Sequence, residues 1–161
     1  MALEIRPATD ADAARLGEIE LATWTLAVTP DPKPDAQGPF FVSVQPSDVL
    51  VATVGDEPVG FARLHIDAEP AHSHVAELWG LSIAREFMRQ GIGTTLVRAA
   101  FDEARRRGCT RMTLGVMGHN DGARAMYERI GFVVEGVLRG EYRDRDDGRS
   151  LDFVLMAYDL T

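Results

Sequence analysis

Residues 76–96, AELWGLSIAREFMRQGIGTTL, carry the strongest structural signal in the chain. They begin inside an apolar run of strand length at residues 75–83 and end inside an amphipathic helical pattern that stops at Gly108. Gly91 and Gly93, between these two patterns, allow a positive φ and a close approach of the backbone. Because a helix start presents unpaired N–H groups and the positive end of the helix dipole, this segment predicts an anion site. A plain turn is the alternative.

Two common phosphate-binding loops are excluded by the same residues. The loop of nucleotide hydrolases ends in Gly-Lys-Ser/Thr, and the segment contains no lysine. The dinucleotide-binding fingerprint needs a third glycine at the position that Leu96 occupies. The predicted guest is therefore a phosphate or pyrophosphate held by a different type of loop.

The distribution of charge agrees with a small anionic ligand. The chain has a formal net charge of −8, which argues against binding to nucleic acid or to an anionic membrane surface. Residues 85–111 nevertheless carry seven basic and three acidic side chains, a net charge of +4. This basic segment contains both glycines, so we expect it to attract the phosphates of one small molecule.

Composition sets further limits. With 161 residues the chain is long enough for one domain with a core of its own. Its single cysteine, Cys109, excludes an internal disulfide or a cysteine-based zinc site, and no metal is expected. The first residues lack the pattern of a signal peptide and no apolar run reaches membrane-spanning length, so we expect a cytoplasmic protein.

Hydrophobic periodicity predicts a mixed sheet with helices packed on it. The predicted strands are residues 2–7, 48–55, 59–66, 75–83, 110–117, 132–138 and 151–159, and the predicted helices are residues 10–27, 94–107 and 120–130. Prolines make residues 29–46 a loop with one short helix at most, and residues 139–150 are predicted to be a charged connection. Residues 1–161 are therefore expected to form a single α/β (α+β) domain.

Residues 76–96 and residues 120–132, NDGARAMYERIGF, together resemble the GCN5-related N-acetyltransferase (GNAT) superfamily. The first segment is similar to the acyl-CoA pyrophosphate loop of that family, and the second to its Asn-x-x-Ala-x-x-x-Tyr-x-x-x-Gly-Phe segment. The resemblance implies a mixed, mostly antiparallel sheet of about seven strands flanked by about four helices. It also implies transfer of an acetyl group from acetyl-CoA to a primary amine, on a small molecule or a peptide, by direct attack in a ternary complex.

A different class of function stays open, namely a non-catalytic acyl-CoA-binding sensor or regulatory module on the same fold. Such a module would keep Gly91, Gly93 and Asn120 and could dispense with Tyr127 and Glu77. The presence of all five residues favours the enzyme.

The resemblance implies a set of residues that bind the acyl-CoA. The loop departs from the family at one position, because Met88 fills a slot that usually holds Arg or Gln, and Arg89 follows it. Backbone groups of Leu81 and Ile83 are expected to bind the pantetheine arm, where neighbouring strands splay in this family. The remaining expected contacts are Met88, Arg89, Gln90, Gly91, Ile92, Gly93, Thr94, Asn120, Ala123 and Arg124. Asn120 can also cap its helix.

Two residues are candidates for proton transfer. Tyr127 fills the tyrosine slot of the second motif, and the resemblance places its hydroxyl near the thioester sulfur as a proton donor; a core aromatic is the alternative. Glu77 is the candidate base, because a glutamate at this distance before the loop has that role in histone-type members. An outward-facing strand residue paired with an arginine is its alternative. His72 and His74 are rival bases.

The acceptor pocket is expected around Trp24, Phe40 and Trp79. Core packing is the alternative for all three, and it is the favoured interpretation for Trp79. Residues 1–84 have a net charge of −9, with four basic and thirteen acidic side chains, which favours a cationic amine over an acidic acceptor. Dimers are common in the family, so a homodimer is an expectation of the resemblance.

Overall fold

Seven strands form one sheet in the computed structural model, which describes residues 2–25 and 29–161. The strands are β1 (Leu3–Pro7), β2 (Val49–Val54), β3 (Glu57–Ile66), β4 (Val75–Ile83), β5 (Arg111–Met117), β6 (Val133–Arg143) and β7 (Ser150–Asp159). Their order across the sheet is β1-β2-β3-β4-β5-β7-β6. Every neighbouring pair is antiparallel except β4 and β5, which are parallel. The predicted mixed, mostly antiparallel sheet is confirmed.

Three α-helices are present in the described ranges, against about four expected. They are α1 (Ala13–Thr23), α2 (Ile92–Arg106) and α3 (Asp121–Ile130). Single 3₁₀ turns at Asp10–Asp12, Pro46–Asp48 and Arg85–Phe87 make up the other helical residues. None of the helices in these ranges has the length and apolar character needed to cross a membrane.

The helices cover both faces of the sheet. Leu96, Ala100 and Phe101 of α2 pack with Tyr127 and Ile130 of α3 in the larger core, against one face. Leu16 and Ile19 of α1 pack on the other face, against Val49, Val51 and Phe61. Alternate strand residues therefore belong to different cores, as the two-residue period of a strand requires.

The first helix is shorter than the predicted 10–27. It ends at Thr23, because Trp24 has an extended backbone with φ −64° and ψ 126°. The Arg85 guanidinium donates to the carbonyl oxygen of Ala22 at 2.8 and 3.1 Å, which satisfies a backbone acceptor at this helix end. Residues 26 and 27 of the predicted helix lie outside the described residues.

The sixth strand is longer than the predicted 132–138. It continues to Arg143, and Tyr142 pairs with Leu151 after an irregularity in the register. Gly140, with φ +62°, donates its N–H to an Asp152 carboxylate oxygen at 2.8 Å inside this irregular part. The charged residues after position 138 therefore extend an edge strand, and the connecting turn is confined to the residues between Arg143 and Ser150.

Candidate active site

A gap between two central strands forms the candidate active site. The parallel strands β4 and β5 pair at three positions only, from Val75–Arg111 to Glu77–Thr113, although both strands continue beyond them. A cavity of about 670 Å³ occupies the space where the strands separate. Such a gap exposes the backbone edge of β4 to a ligand, as the resemblance predicts.

Tyr127 lines this cavity from α3. Its side chain is only 8% exposed, and its ring packs edge-on against Phe132 with the centroids 5.6 Å apart. Burial raises the pKa of the Tyr127 phenol to about 12. The phenol therefore stays protonated at neutral pH and is able to donate a proton. The ring is a core aromatic and also borders the cavity, and its role as a proton donor stays a prediction.

Glu77 lies at the point where β4 and β5 separate, and it lines the cavity. One oxygen of its carboxylate accepts a hydrogen bond from Trp79 Nε1 at 3.0 Å. The Trp79 ring stacks on the imidazole of His65, with the centroids 3.9 Å apart and the planes inclined by 12°. His65 is the cross-strand partner of Glu77 in β3. Trp79 therefore contacts one side of the Glu77 carboxylate, and His65 packs behind the Trp79 ring. No described arginine pairs with Glu77.

The glycine loop presents a row of backbone donors. Among the described residues, the N–H groups from Arg89 to Thr94 have no backbone acceptor, whereas Thr95 donates to the Gly91 carbonyl at 3.0 Å. Arg89 and Gly91 have a left-handed backbone, with positive φ values of 61° and 81°, whereas Gln90 between them does not. Left-handed residues therefore alternate with other conformations along the chain just before α2. Successive N–H groups in such a turn converge on an anion, and the start of a 15-residue helix adds a favourable dipole.

Gly93 connects the loop to the cavity. A Cβ atom at this position would lie 3.2 Å from Met126 Sδ and 3.7 Å from Leu81 Cδ2, and both of these neighbours line the cavity. Ile83 and Ile92 point into the larger core, so only their backbone groups can meet a ligand. Met88, Arg89 and Gln90 are exposed beside the loop.

Some residues of the second motif line the cavity, and others lie at the surface. Asn120 caps α3 by accepting a hydrogen bond from the Ala123 N–H at 3.3 Å, and both residues also line the cavity. Arg124 pairs with Glu128 at 3.0 Å one turn along the same helix and does not line the cavity. The capping role of Asn120 is confirmed, and the expected ligand contact of Arg124 stays a prediction.

The basic segment 85–111 is not gathered around the loop. Arg105, Arg106 and Arg107 lie at the far end of α2 or just after it, roughly 20 Å along the axis at 1.5 Å per residue. They pair there with Asp102, Glu103 and Asp48. In the described part of the chain, only Arg89 and Arg98 of this segment have neither an ion pair nor a side-chain hydrogen bond. Attraction of an anion therefore depends mainly on backbone N–H groups.

The three predicted acceptor residues border two adjoining cavities. Trp24 and Trp79 line the main cavity, and Phe40 and Trp79 line a second one of about 520 Å³. The 46% exposure of Trp79 excludes core packing for this residue. Arg63 and Glu20 line both cavities and form a bidentate pair at 2.6 and 3.0 Å. The guanidinium of Arg63 also lies 4.3 Å from the Phe40 ring centroid.

Sequence reasoning missed the wall that β7 and β6 provide. Phe153 and Tyr142 line the cavity and meet edge to face, with their centroids 5.3 Å apart. A Cβ atom at position 115 would lie 2.0 Å from Phe153 Cζ, so Gly115 of β5 is what allows this ring to lie over the sheet. The glycine alone could have signalled a close approach, but its partner is 38 positions away in the sequence.

The remaining candidates for catalytic residues lie outside the cavity. Neither His72 nor His74 lines the cavity. Cys109 is buried, its thiol lies 3.7 Å from the Ser73 carbonyl oxygen, and burial raises the pKa of that thiol, which disfavours a thiolate nucleophile. Within residues 2–25 and 29–161 no three His, Cys, Asp or Glu side chains are grouped so that they could hold a metal ion.

Comparison with known proteins identifies the fold. Brucella melitensis ribosomal-protein-alanine N-acetyltransferase superposes with a TM-score of 0.79 at 26% identity, over 97% of this chain and 99% of that one. The Salmonella typhimurium protein yncA, solved with acetyl-CoA, superposes with a TM-score of 0.81 over 100% of this chain and 95% of that one. At 22% identity the second likeness concerns the fold alone.

Sequence comparison leads to the same group of proteins. The chain is 34% identical over 86 residues to the [ribosomal protein bS18]-alanine N-acetyltransferase of Escherichia coli. That match covers 53% of this chain, and the chain spans 57% of the length of the relative. The model of the acetyltransferase (GNAT) family matches residues 14–132, which is most of the chain and includes both motifs. The chain therefore belongs to the GNAT family of acetyltransferases.

Proposed function

We propose that this protein transfers an acetyl group from acetyl-CoA to a primary amine by direct attack in a ternary complex. The observation that carries the proposal is the common cavity: the separated edge of β4, the base candidate Glu77 and the proton donor candidate Tyr127 all border it. The glycine loop lies at its edge, joined through the contact of Gly93 with Met126 and Leu81. These residues fit an acyl-CoA whose phosphates meet the loop and whose thioester lies between the two strands.

Each group has a defined task in that reaction. An alkylammonium, with a pKa of about 10.4, must lose a proton before it attacks, and Glu77 accepts it directly or through water. The amine nitrogen then bonds to the thioester carbonyl carbon as the carbon–sulfur bond breaks. Tyr127 supplies a proton to the departing thiolate, and its phenolate takes back, directly or through water, the second proton that the nitrogen loses as it becomes an amide. Burial keeps the phenol protonated before the reaction. Alignment of amine and thioester in one cavity contributes the rest of the rate.

Acetyl-CoA binding is the first test. A thermal melt at a concentration 100-fold above the dissociation constant is expected to show a stabilisation of about 2.7 kcal/mol. Absence of any shift at millimolar acetyl-CoA would remove the donor assignment. Release of free thiol in the presence of a panel of amines then tests transfer itself. Binding without transfer to any amine would support the sensor module instead.

A further inference from the structure

The charges that line the acceptor end of the cavity are unequally paired. Four carboxylates and two arginines border the main cavity. Arg63 forms its bidentate pair with Glu20, and Arg111 of β5 forms one with Glu135 of β6, across the intervening strand β7. Each guanidinium therefore already has its carboxylate partner. An acceptor that carries a carboxylate of its own would have to displace one of these pairs, since no other described arginine or lysine lines the cavity.

The other two carboxylates, Glu77 and Asp31, form no ion pair with a described residue. The Asp31 carboxylate accepts a hydrogen bond from the Thr29 hydroxyl at 3.0 Å, and its backbone carbonyl accepts one from Trp24 Nε1 at 3.1 Å. These bonds fix Asp31 at the side of α1, in the wall shared by both cavities. Glu77 is already assigned to the reacting nitrogen, so Asp31 is a second negative charge without a task in the transfer.

Aromatic rings accompany the two carboxylates. The indole of Trp24 is bonded to the Asp31 backbone, and the indole of Trp79 is bonded to Glu77. Both tryptophans line the cavity, and tryptophan is the aromatic residue that attracts a cation most strongly. One indole is bonded to the carboxylate of Glu77 and the other to the backbone of Asp31, and this arrangement suits a ligand with two positive centres joined by an apolar chain.

We propose that the acceptor is a small diamine or polyamine, whose second ammonium is bound by Asp31 and Trp24 while the reacting amine meets Glu77. This inference rests on the proposed function and names the substrate class of the same cavity. A compact acceptor is favoured over a polypeptide, since the loop that lines the cavity at Pro30 is joined to the turn between β6 and β7. The Arg145 guanidinium, in the turn between β6 and β7, lies 3.4 Å from the Pro30 carbonyl oxygen in the loop that follows α1.

A matched series of amines tests the proposal. Putrescine, n-butylamine and γ-aminobutyrate share one carbon chain and end in an ammonium, a methyl group and a carboxylate, respectively; spermidine extends the first. We expect kcat/KM for putrescine or spermidine to exceed that for butylamine by about fivefold to tenfold, the range of a partly exposed charge pair. We expect γ-aminobutyrate to be the poorest acceptor. Equal or faster acetylation of γ-aminobutyrate, or of an alanyl peptide amide whose reacting amine is its only ionisable group, would overturn the proposal.

A variant that removes the negative charge of Asp31 tests whether the second ammonium binds there. Asp31→Asn keeps an acceptor for the Thr29 hydroxyl and is expected to reduce the preference for the diamine over the monoamine to about twofold or less. Asp56→Asn removes one negative charge from the exposed turn between β2 and β3, and should leave that preference unchanged. An equal loss of preference in both variants would show that overall charge, and not the Asp31 site, selects the acceptor.

A binding measurement separates this inference from the proposed function. Calorimetry of spermidine against butylamine, on the protein saturated with CoA, needs no turnover. Tighter spermidine binding that is lost in Asp31→Asn supports the cation site even if no amine is acetylated, in which case only the proposed transfer fails. Equal binding of the two amines, together with measurable acetyl transfer, would overturn the cation site and leave the transferase standing.

Discussion

The two ends of the active-site cavity differ in the kind of atoms that build them. The donor end consists mainly of backbone: the N–H groups of residues 89–94 and the separated edge of β4. The acceptor end consists of residues from α1, the proline-rich loop and the strands β3 to β7. A backbone site depends on a few positions that must be glycine, whereas a side-chain site tolerates many combinations of residues. Within one fold, the donor can therefore stay the same while the acceptor changes.

Substitution of Tyr127, where the two ends meet, should have the largest effect. Tyr127→Phe keeps the ring contact with Phe132 and removes the proton donor, so kcat is expected to fall about 100-fold while acetyl-CoA affinity is unchanged. Because the pKa of Tyr127 is raised to about 12, the wild-type rate should show no alkaline loss from this group below about pH 10. Stopped assays of thiol release across pH measure both effects.

Tyr158→Phe is the matched control for that substitution. Tyr158 stacks on Phe101 with the centroids 4.1 Å apart and does not line the cavity, so its loss of a hydroxyl should leave kcat unchanged. A Tyr127→Phe protein with full turnover would remove the proton donor from the mechanism.

Glu77→Gln is expected to lower kcat/KM about 30-fold at neutral pH, within the range of general-base catalysis. Glutamine retains an oxygen that can accept the hydrogen bond from Trp79 Nε1, so the acceptor wall should keep its shape. Glu4→Gln, at an exposed position of β1, removes the same charge far from the cavity and should have no effect. If both variants retain wild-type kcat/KM, solvent water and not Glu77 takes the proton.

The difference between the two ends also explains what could be predicted from the sequence. Strand β4 was predicted with its observed bounds, and Gly91, Gly93 and the Asn120 cap were identified because each has a local cause. The β3–β4 register was not predictable. Arg63 pairs with Gly80 and Leu64 with Leu78, so Trp79 is an extra residue, and this bulge turns Leu81 and Ile83 toward the larger core.

The acceptor wall shows a second kind of failure. Phe153 and the Arg111–Glu135 pair come from three strands, and the stack of His65 on Trp79 joins two others; each of these contacts exists only after the sheet has formed. Their residue types are ordinary for strands and surfaces, so no spacing distinguishes them. The proline-rich loop was correctly predicted to interrupt the chain, but its contribution of Asp31 depends on hydrogen bonds that a linear pattern does not contain.

Gly115→Ala tests the acceptor end without touching the donor end. Its Cβ atom would lie 2.0 Å from Phe153 Cζ, so the ring must move and change the wall of the cavity. We expect kcat/KM for the amine to fall about tenfold and stability to fall by about 1–3 kcal/mol, the usual cost of overpacking. Acetyl-CoA affinity, measured by calorimetry, should stay within about twofold, since the donor end does not contain this residue.

Two further variants test whether the contact with Phe153 causes the expected losses in Gly115→Ala. Gly17→Ala fills open space in α1, where no atom lies within 4 Å of the added Cβ, and should not reduce activity or stability. Adding Phe153→Ala to Gly115→Ala removes the clashing ring and should recover part of the lost stability, although the altered wall stays. A double variant no more stable than Gly115→Ala would show that the contact with Phe153 is not the cause.

Two glycine substitutions at the donor end should have smaller and unequal effects. Gly91 has φ +81° with nothing within 4 Å of an added Cβ, so Gly91→Ala introduces backbone strain alone, about 1–2 kcal/mol. Relief of this strain would redirect the N–H groups, and acetyl-CoA affinity is expected to fall about fivefold. Gly93→Ala meets the flexible end of Met126 at 3.2 Å, which can move, so we expect about a twofold loss. Calorimetry with acetyl-CoA compares the two; a larger loss for Gly93→Ala would contradict a site built on backbone direction.

The smallest effect on catalysis is expected at Asp12, which lies before α1 and outside both ends of the cavity. Its 6%-exposed carboxylate accepts two hydrogen bonds from the Arg6 guanidinium at 2.8 Å each and one from the Thr9 N–H at 2.8 Å. The Arg6 guanidinium is the main reason that the pKa of Asp12 is lowered to about 2. A pKa lower in the folded than in the unfolded chain means that the ionised form stabilises the fold. That contribution is complete above the unfolded pKa of about 3.9 and is lost as pH falls toward 2.

Asp12→Asn should therefore lower the free energy of unfolding by about 2 kcal/mol at pH 7, and the difference from the wild-type protein should shrink between about pH 4 and pH 2. Urea denaturation at several pH values measures it. Asp10→Asn, in the same 3₁₀ turn but exposed and without an ion pair among the described residues, is the matched control and should cost little at any pH. Neither variant should change acetyl-CoA affinity or kcat in the folded protein. A loss of turnover in Asp12→Asn at full acetyl-CoA affinity would mean that the Arg6–Asp12 ion pair fixes the position of α1, and through it Trp24 and Glu20. The ion pair would then belong functionally to the acceptor end.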